Sequence, residues 1–511
     1  MNKITKLTES DLHNMIINAA RRIIRESSEE GIYHTLMKLS ELVREIKYLD
    51  IKYGEDFDIK AVTNNSLKVE EDNIFVAVKG SIFDGHKYID EAIKNGAKAI
   101  IHTEDVDFKD GITYLKVADS RDALAKVSNF ITNFPSEKLT VIGVTGTNGK
   151  TTTSKLIAYL IEKIFGPCAN IGTDGANIDG EIIETSNTTP DITEINRILE
   201  KCLEKGIKYV TLEASSHGLV QRRLEGVHFK VGIFNNLSTE HLDYHKTMEE
   251  YFKAKMLLFE NSETTIANID DPWGKQAVKL YQNTLTFGKD DMANIRATEI
   301  RKTKEGISFK IDGVDFFIKT IADFELNNYL AAISTLKIMG ASLTELSEVI
   351  SDFPGVGSRF EYIENDRDLN IIVDFAHTPK AFEEIFKTLP EDEKKIAVFG
   401  IQGDRNEEFR KLIGKTVSDY KIYAIITTDD PKFDTYENIS KDIVSGMAEN
   451  YGSYSLIKDR KDAIKAALTM AKPGDYVLFM GKGEENFIKL VGNEKTPWNE
   501  KATIREILEN L

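Results

Sequence analysis

VIGVTGTNGKTTT, residues 141–153, is the stretch that decides the fold class. Val141–Val144 are apolar or small and read as a buried strand, Thr145–Gly149 as a glycine turn. Thr151–Phe165 then spaces its apolar residues as a helix does. A strand, a glycine turn and a helix N-terminus leave backbone N–H groups pointing at whatever enters the turn, and such a nest binds an anion. Gly146, Thr147, Asn148, Gly149 and Thr152 form this candidate nucleotide-phosphate site; Lys150 is placed to reach the terminal phosphates and the Thr151 hydroxyl to meet Mg²⁺. The loop departs from the strict eight-residue phosphate loop at Val144, five positions before Gly149, where Gly is usual.

At 511 residues the chain is too long for one core and predicts about three domains. A hydrophobic content of 41% with 29% charged residues is ordinary for a globular protein. The net charge of −17 argues against a nucleic-acid backbone or an anionic membrane as main partner. Only Cys168 and Cys202 occur, without metal-ligand spacing, so neither a disulfide framework nor structural zinc is expected. No apolar run approaches the roughly 20 residues that span a bilayer, and the first residues lack the apolar core of a secretory signal. A cytoplasmic location, no membrane insertion and a monomer are the expectations.

Residues 8–26 predict an amphipathic helix within an N-terminal extension, 1–35. Mixed strand and helix patterns follow over 36–136, and Pro135–Ser136 interrupts them. Over 137–355 strands alternate with helices at the phosphate loop, Tyr209–Glu213, Val231–Phe234 and Thr264–Ile269, which predicts a mostly parallel sheet covered on both faces. The stretch 297–321 instead reads as antiparallel strands with Gly turns. After FPGVGS (353–358), strands at 371–375, 394–400, 422–428 and 475–481 predict a doubly wound α/β domain over 356–511. The fold class is α/β throughout.

Glu213 ends an apolar strand, where open α/β sheets place ligands, and is a candidate Mg²⁺ partner. His241 and His245 stand four apart, but no third ligand has zinc spacing. GTNGKTTT (146–153), NTTP (187–190), EASSHGLVQRR (213–223), NNLSTEHLDYH (235–245), YFKAKMLLF (251–259), NIDD (268–271), VDFAHTP (373–379), GDR (403–405), DDPK (429–432) and GKG (481–483) follow one another in order. In these runs the chain resembles the Mur ligase family, the ATP-dependent amide-forming enzymes of peptidoglycan precursor synthesis. The SSHGLVQ and HLDYH runs are most similar to the branch that joins a diamino acid to UDP-N-acetylmuramoyl-L-alanyl-D-glutamate.

The resemblance implies a small UDP-binding domain, a central P-loop ATPase and a C-terminal Rossmann-like domain. It implies ATP, two Mg²⁺ ions and activation of the dipeptide's acid group as an acyl phosphate. Lys150, Glu213, His241 and Lys255 are then catalytic; Thr151 and Glu213 hold the first ion, and His241 with Lys255, as a CO₂-derived carbamate, the second. Without the resemblance, Lys255 on an amphipathic helix reads as a solvated surface lysine. Asn328, Arg359 and Asp374 match nucleotide contacts. Ser66, Ser81, Ile82, Phe83, Asn187, Thr188, Thr189, Ser215, Gln221 and Arg223 match contacts to the UDP-sugar dipeptide. Arg405, Asp429, Asp430, Pro431, Lys432, Gly481 and Glu485 match the amino-acid pocket.

The chain departs from the family pattern in several places. Leu67 stands where Arg is usual, Glu325 where Asn is usual and Ser358 where Gly is usual; GKGEE (481–485) replaces GKGHE. DDPK replaces the DNPR of diaminopimelate-adding relatives. The cation at Lys432 would attract a distal carboxylate and repel the ε-ammonium of lysine, by about 4 kcal/mol at 4 Å near a surface. It therefore favours meso-diaminopimelate over L-lysine, with looser discrimination because Lys lacks the fork of Arg. Two other readings stay open: a Mur-type ligase with a different acceptor or amino acid, and a non-catalytic nucleotide-binding regulatory homologue. Lys150, Glu213, His241 and Lys255 together argue against the second.

Overall fold

The computed structural model describes residues 37–80, 83–303, 305–483, 485–490 and 494–511; the predicted helix over 8–26, Ser81 and Ile82 lie outside them. The chain divides into two compact units, Met1–Ala118 and Asp119–Leu511. This division precedes Pro135, because the helix Ser120–Ile131 is tied into the second unit by polar contacts. Asn196 Nδ2 donates to Ser128 Oγ (2.9 Å) and Asn129 Oδ1 (3.0 Å), and Asn129 Nδ2 to the Glu225 carbonyl (3.2 Å).

The first unit is built on a five-stranded sheet. Its strands Ala61–Thr63, Asn73–Val76, Ala97–His102 and Thr113–Lys116 run parallel, with Asp50–Lys52 antiparallel at the edge. Phe75 and Tyr114 are fully buried in its core.

In the second unit β1 (Thr140–Thr145) is the centre of a nine-stranded sheet, between β2 (Tyr209–Glu213) and β3 (Phe229–Phe234), with β4 (Ser262–Asn268) beyond β3. These four strands are parallel. The chain leaves β1 for one side of the sheet and later returns on the other, a reversal that opens a crevice at the strands' carboxyl ends. Ile142 and Val144 of β1 pack with α1 (Lys150–Ile164) in the largest core cluster. Gly143 faces the opposite side. A Cβ there would lie 2.6 Å from Leu258 Cδ1 and 2.8 Å from Phe229 Cδ1, so its absence lets α2 (Met248–Glu260) close onto the sheet. A third helix, α3 (Asp323–Ile338), joins α1 over the first face. Thr298–Lys302, Ile307–Ile311 and Val314–Ile318 form a separate antiparallel sheet, as the Gly-turn pattern predicts.

The C-terminal sheet holds β5 (Asn370–Asp374), β6 (Lys395–Phe399), β7 (Tyr423–Ile426) and β8 (Tyr476–Met480) in the spatial order β5, β8, β6, β7. These are parallel; Glu361–Ile363 pairs antiparallel with β5. The final helix, α4 (Glu500–Glu509), is fastened by a buried ion pair. Arg460 Nε lies 2.9 Å from Glu500 Oε2 and Nη2 2.6 Å from Oε1, with side chains 1% and 0% exposed. The guanidinium also donates to the Met480 and Thr428 carbonyls, and Trp498 Nε1 to Glu500 Oε2. It thereby braces the ends of β7 and β8, from which the amino-acid loops spring. Glu500→Ala leaves that arginine buried and unpaired, and urea denaturation should show a loss of about 3–5 kcal/mol in this sheet's stability.

Candidate active site

The crevice at the end of β1 is a cleft of about 590 Å³. Thr147, Asn148, Gly149, Lys150, Thr151, Thr152, Glu213 and His241 line it, together with Thr188, Ser215, Asn328, Arg359 and Asp374. The phosphate loop is held rigid by its neighbour strand's exit. Thr147 N donates to the Asn236 carbonyl (3.0 Å), and Asn148 N to Asn236 Oδ1 (2.9 Å). Gly149 caps α1 at φ +83°, and a Cβ there would lie 2.2 Å from Asn328 Oδ1. Only glycine suits that backbone and that approach.

Lys150 Nζ donates to the Gly146 (3.0 Å) and Thr147 (2.9 Å) carbonyls. Lys255 Nζ donates to the same Gly146 oxygen (2.8 Å) from behind the loop. The reading of Lys255 as a surface residue is overturned: it is 1% exposed, because the close seat of α2 turns it under the loop and over the Tyr251 ring. Burial, then the charge of Lys150, push its ammonium well below the ordinary lysine range.

Thr151 Oγ1 donates to Glu213 Oε2 (3.0 Å), which also accepts from Thr173 Oγ1; Glu213 Oε1 accepts from Thr173 N. A hydroxyl and a buried carboxylate at that separation are hard oxygen donors suited to Mg²⁺. Burial pushes His241 down to about 4, against the pull of Glu240, so its imidazole is neutral, the form that binds metals. His245 does not join it. Its ring is buried, lies 2.9 Å from Ser216 Oγ and stacks on Tyr251. Burial opposes ionisation of Glu240, yet the His377 hydrogen bond and the charges of His377 and Lys150 hold its carboxyl well below the usual range.

On the far wall, Asn328 Oδ1 accepts from Thr153 Oγ1 (3.2 Å), and the Arg359 guanidinium lies over the Phe375 ring. Asp374 is bound by the Phe360 and Ala376 N–H groups, both 2.6 Å. Burial nevertheless raises its pKa, against the charge of Arg359. Ser358 sits at φ +54°, a left-handed conformation in which the Gly usual there is unstrained. Asn327 Oδ1 and Ser238 Oγ, on the cleft lining, are buried without hydrogen-bond partners among the described residues, so the cleft wall offers polar atoms to a ligand.

Three domain models match in order: Mur ligase family, catalytic domain (58–134), Mur ligase middle domain (144–336) and Mur ligase, glutamate ligase domain (358–483). A UDP-N-acetylmuramoyl-L-alanyl-D-glutamate–2,6-diaminopimelate ligase of Clostridioides difficile strain 630 is 37% identical over 490 residues, covering 93% of this chain and all of that one. Its counterpart from Caldanaerobacter subterraneus subsp. tengcongensis is 35% identical over 480 residues, 92% of this chain and 99% of that one. The chain belongs to the Mur ligase family. As a Mur ligase it is an ATP-dependent, amide-forming enzyme. A solved structure of a UDP-N-acetylmuramoyl-L-alanyl-D-glutamate–2,6-diaminopimelate ligase superposes with a TM-score of 0.63 at 29% identity, covering 89% of this chain and 95% of that one. A MurF ligase from Thermotoga maritima shares the fold at a TM-score of 0.61 and 24% identity, over 88% of this chain and 97% of that one.

Around this Mur ligase cleft, several residues matched to the dipeptide fasten one another. Thr189 Oγ1 donates to the Glu213 carbonyl (2.7 Å) and accepts from Ser215 N (2.9 Å). Ser215 Oγ caps the following helix at Gly218 N, and Thr188 Oγ1 lies 3.3 Å from Thr173 Oγ1. Arg223 bonds the Thr189 carbonyl (2.9 Å) and Gln221 Oε1 (2.7 Å). Asn187 is exposed. In the first unit Ser66 Oγ donates to Glu91 Oε2 (2.6 Å), while Leu67 and Phe83 are exposed.

The amino-acid loops follow β6, β7 and β8. Lys482 Nζ lies 2.8 Å from Asp430 Oδ1, 3.3 Å from Asp429 and 2.5 Å from Glu485. Burial disfavours that ammonium, but the three carboxylates hold it charged well above the ordinary lysine range. Asp430 Oδ1 also accepts from Lys489 N, and Gly481 turns the chain at φ +102°. Pro431 accepts at its carbonyl from Asp434 N. Lys432, expected to present a free cation, instead pairs with Asp404 and reaches Gln402 Oε1 (3.3 Å), so much of its charge is already answered. Arg405 projects from the β6 loop over the Phe409 ring, its Nε buried without a hydrogen-bond partner among the described residues. Sequence reasoning missed Thr173, Asn235, Asn236, Asn327, Glu240 and His377. Three of them lie within NNLSTEHLDYH and one within VDFAHTP, but only their chain neighbours carried an assigned role.

Glu325, the departure on α3, is buried; burial pushes its carboxyl up to about 7, against a hydrogen bond from Thr320, with the Asp374 charge adding to the rise. Its folded pKa exceeds the ordinary 4.5. The folded protein thus loses stability as pH rises from about 4.5 to 7, by roughly 3 kcal/mol in all. Without nucleotide, Glu325→Gln should melt near the parent at pH 5 and progressively above it towards pH 8, as calorimetry at each pH would record.

Proposed function

We propose that this Mur ligase joins meso-diaminopimelate to UDP-N-acetylmuramoyl-L-alanyl-D-glutamate in the cytoplasm, with hydrolysis of ATP to ADP and phosphate. The observation that carries this reading is the convergence of Lys150, Thr151, Glu213 and His241 on one cleft in a chain aligned almost end to end with ligases of that name. We assign UDP binding to residues 36–136, ATP to 137–355 and the amino acid to 356–511.

A carboxylate repels nucleophiles and has no leaving group, so the dipeptide's acid must first accept the γ-phosphoryl group of ATP. Two anions meet in that step, and preorganised positive charge lowers its barrier. Lys150 and the loop N–H groups would hold the phosphates, and Arg359 would add charge from the far wall. Mg²⁺, held by Thr151 and Glu213 and at a second position by His241, supplies further positive charge to the phosphate oxygens. The amine then attacks the acyl carbon, and collapse of the tetrahedral adduct expels phosphate while the amine sheds its proton. Arg405 is suited to the amino acid's carboxylate, and the excess carboxylates around Lys482 to an ammonium.

The displaced pKa of Lys255 supports its carbamylation: a buried, neutral amine is the form that adds CO₂, releasing one proton. The product anion would form an opposite-charge pair with the Lys150 ammonium and offer oxygen atoms to the second ion. Turnover should fall in CO₂-depleted buffer and recover with bicarbonate, while Lys255→Ala shows no such response.

Product mass settles the substrate. With Mg²⁺-ATP and the UDP-dipeptide, a panel of L-lysine and the diaminopimelate stereoisomers should yield the meso-diaminopimelate tripeptide at the highest kcat/KM. Product from L-lysine alone would overturn the amino-acid assignment, and phosphate release indifferent to dipeptide and amine would overturn the ligase reading. Lys150→Ala should lower kcat by about 10²–10³-fold.

A further inference from the structure

Glu240 carries no role in the reading above, although it is among the most enclosed carboxylates of the cleft. It lies on the loop after β3, with its side chain 6% exposed. Its Oε1 stands 3.4 Å from His377 Nε2, 3.6 Å from Arg405 Nη2 and 3.7 Å from His241 Nε2. His241 belongs to the same loop, but His377 follows β5 and Arg405 follows β6, both of the C-terminal sheet. One carboxylate oxygen thus gathers groups from the nucleotide-binding and the amine-binding sheets.

The partners are fixed from behind. His377 Nδ1 lies 3.0 Å from the Phe375 carbonyl, which orients its ring, and Arg405 rests on Phe409. With Nη2 turned to Glu240, Arg405 keeps a buried Nε without a hydrogen-bond partner among the described residues. A planar guanidinium held at one edge presents its remaining N–H groups in a fixed direction, suited to a carboxylate. We propose that Glu240 is a positioning residue that clasps the two sheets and aims Arg405 at the carboxylate of the incoming amino acid. The clasp joins the acid-activating half of the site to the half that delivers the amine, a coupling that rests on the ligase reading proposed above.

Two measurements on the full chain test this. Cys168 and Cys202 are buried, so spin labels can be directed to Gln276→Cys and Lys465→Cys, exposed positions on helices of the two halves. In that background Glu240→Gln, which keeps shape but removes charge, should broaden the label-to-label distance distribution. In the unlabelled chain the same change should raise KM for the amino acid at least 10-fold while moving KM for ATP less than 2-fold. Glu240→Asp should restore part of the amino-acid KM. A residue that only stabilised the fold would shift both KM values together. An unchanged distance distribution overturns the proposal, and so does an unchanged amino-acid KM or an equal rise in both constants. If the parent chain joins no amine at all, the ligase reading fails, and the distance measurement alone decides Glu240.

Discussion

Two lysine ammonium groups donate to one carbonyl oxygen, that of Gly146, and the centre of the molecule is arranged around this crowding. Burial first, and then repulsion from the Lys150 charge, disfavour the Lys255 ammonium. Lys255 is the deeper of the two and the more strongly displaced. Lys150 keeps company with Glu213 and Glu240, whose charges partly offset its own burial. The result is a loop with Lys150 on its cleft side and the more deeply buried Lys255, its ammonium disfavoured, on the other. Strand order, the glycine turn and the pairing of the loop with Asn236 all hold that arrangement in place.

The parallel sheet and its switch point were legible because they depend on local signals. Apolar runs bounded by glycine mark β1, β2 and β3, and periodic helices stand between them. The antiparallel segment was equally readable from its Gly turns. Burial of Lys255 was not legible from pattern alone, since a lysine on an amphipathic helix is ordinarily solvated. What turns it inward is the seat of α2 on β1, a long-range contact through Gly143 and Leu258. Glu240 escaped notice for a similar reason: its three partners come from loops after β3, β5 and β6, some 165 residues apart at the extremes.

The amine-binding loops show the limit of motif reading most clearly. Lys432 fits a pattern of distal-carboxylate recognition by type, yet it is already paired with Asp404, which lies 28 positions away. Asp430 departs from the Asn of related runs, and Lys482 answers its charge from inside. A substitution that looks radical in the sequence is thus absorbed by an existing ammonium, with one Asp430 oxygen left buried and without a hydrogen-bond partner among the described residues.

Gly143 is not among the residues that line the cleft. Yet the missing methyl group at this position lets Leu258 rest against the sheet, and Lys255 sits one helical turn away on the same helix. Chemistry at the lysine is therefore tuned by steric permission granted on the hidden side of a strand. A map of ligand contacts would pass over residue 143; a survey of tolerated substitutions would find it nearly as intolerant as the lysine itself.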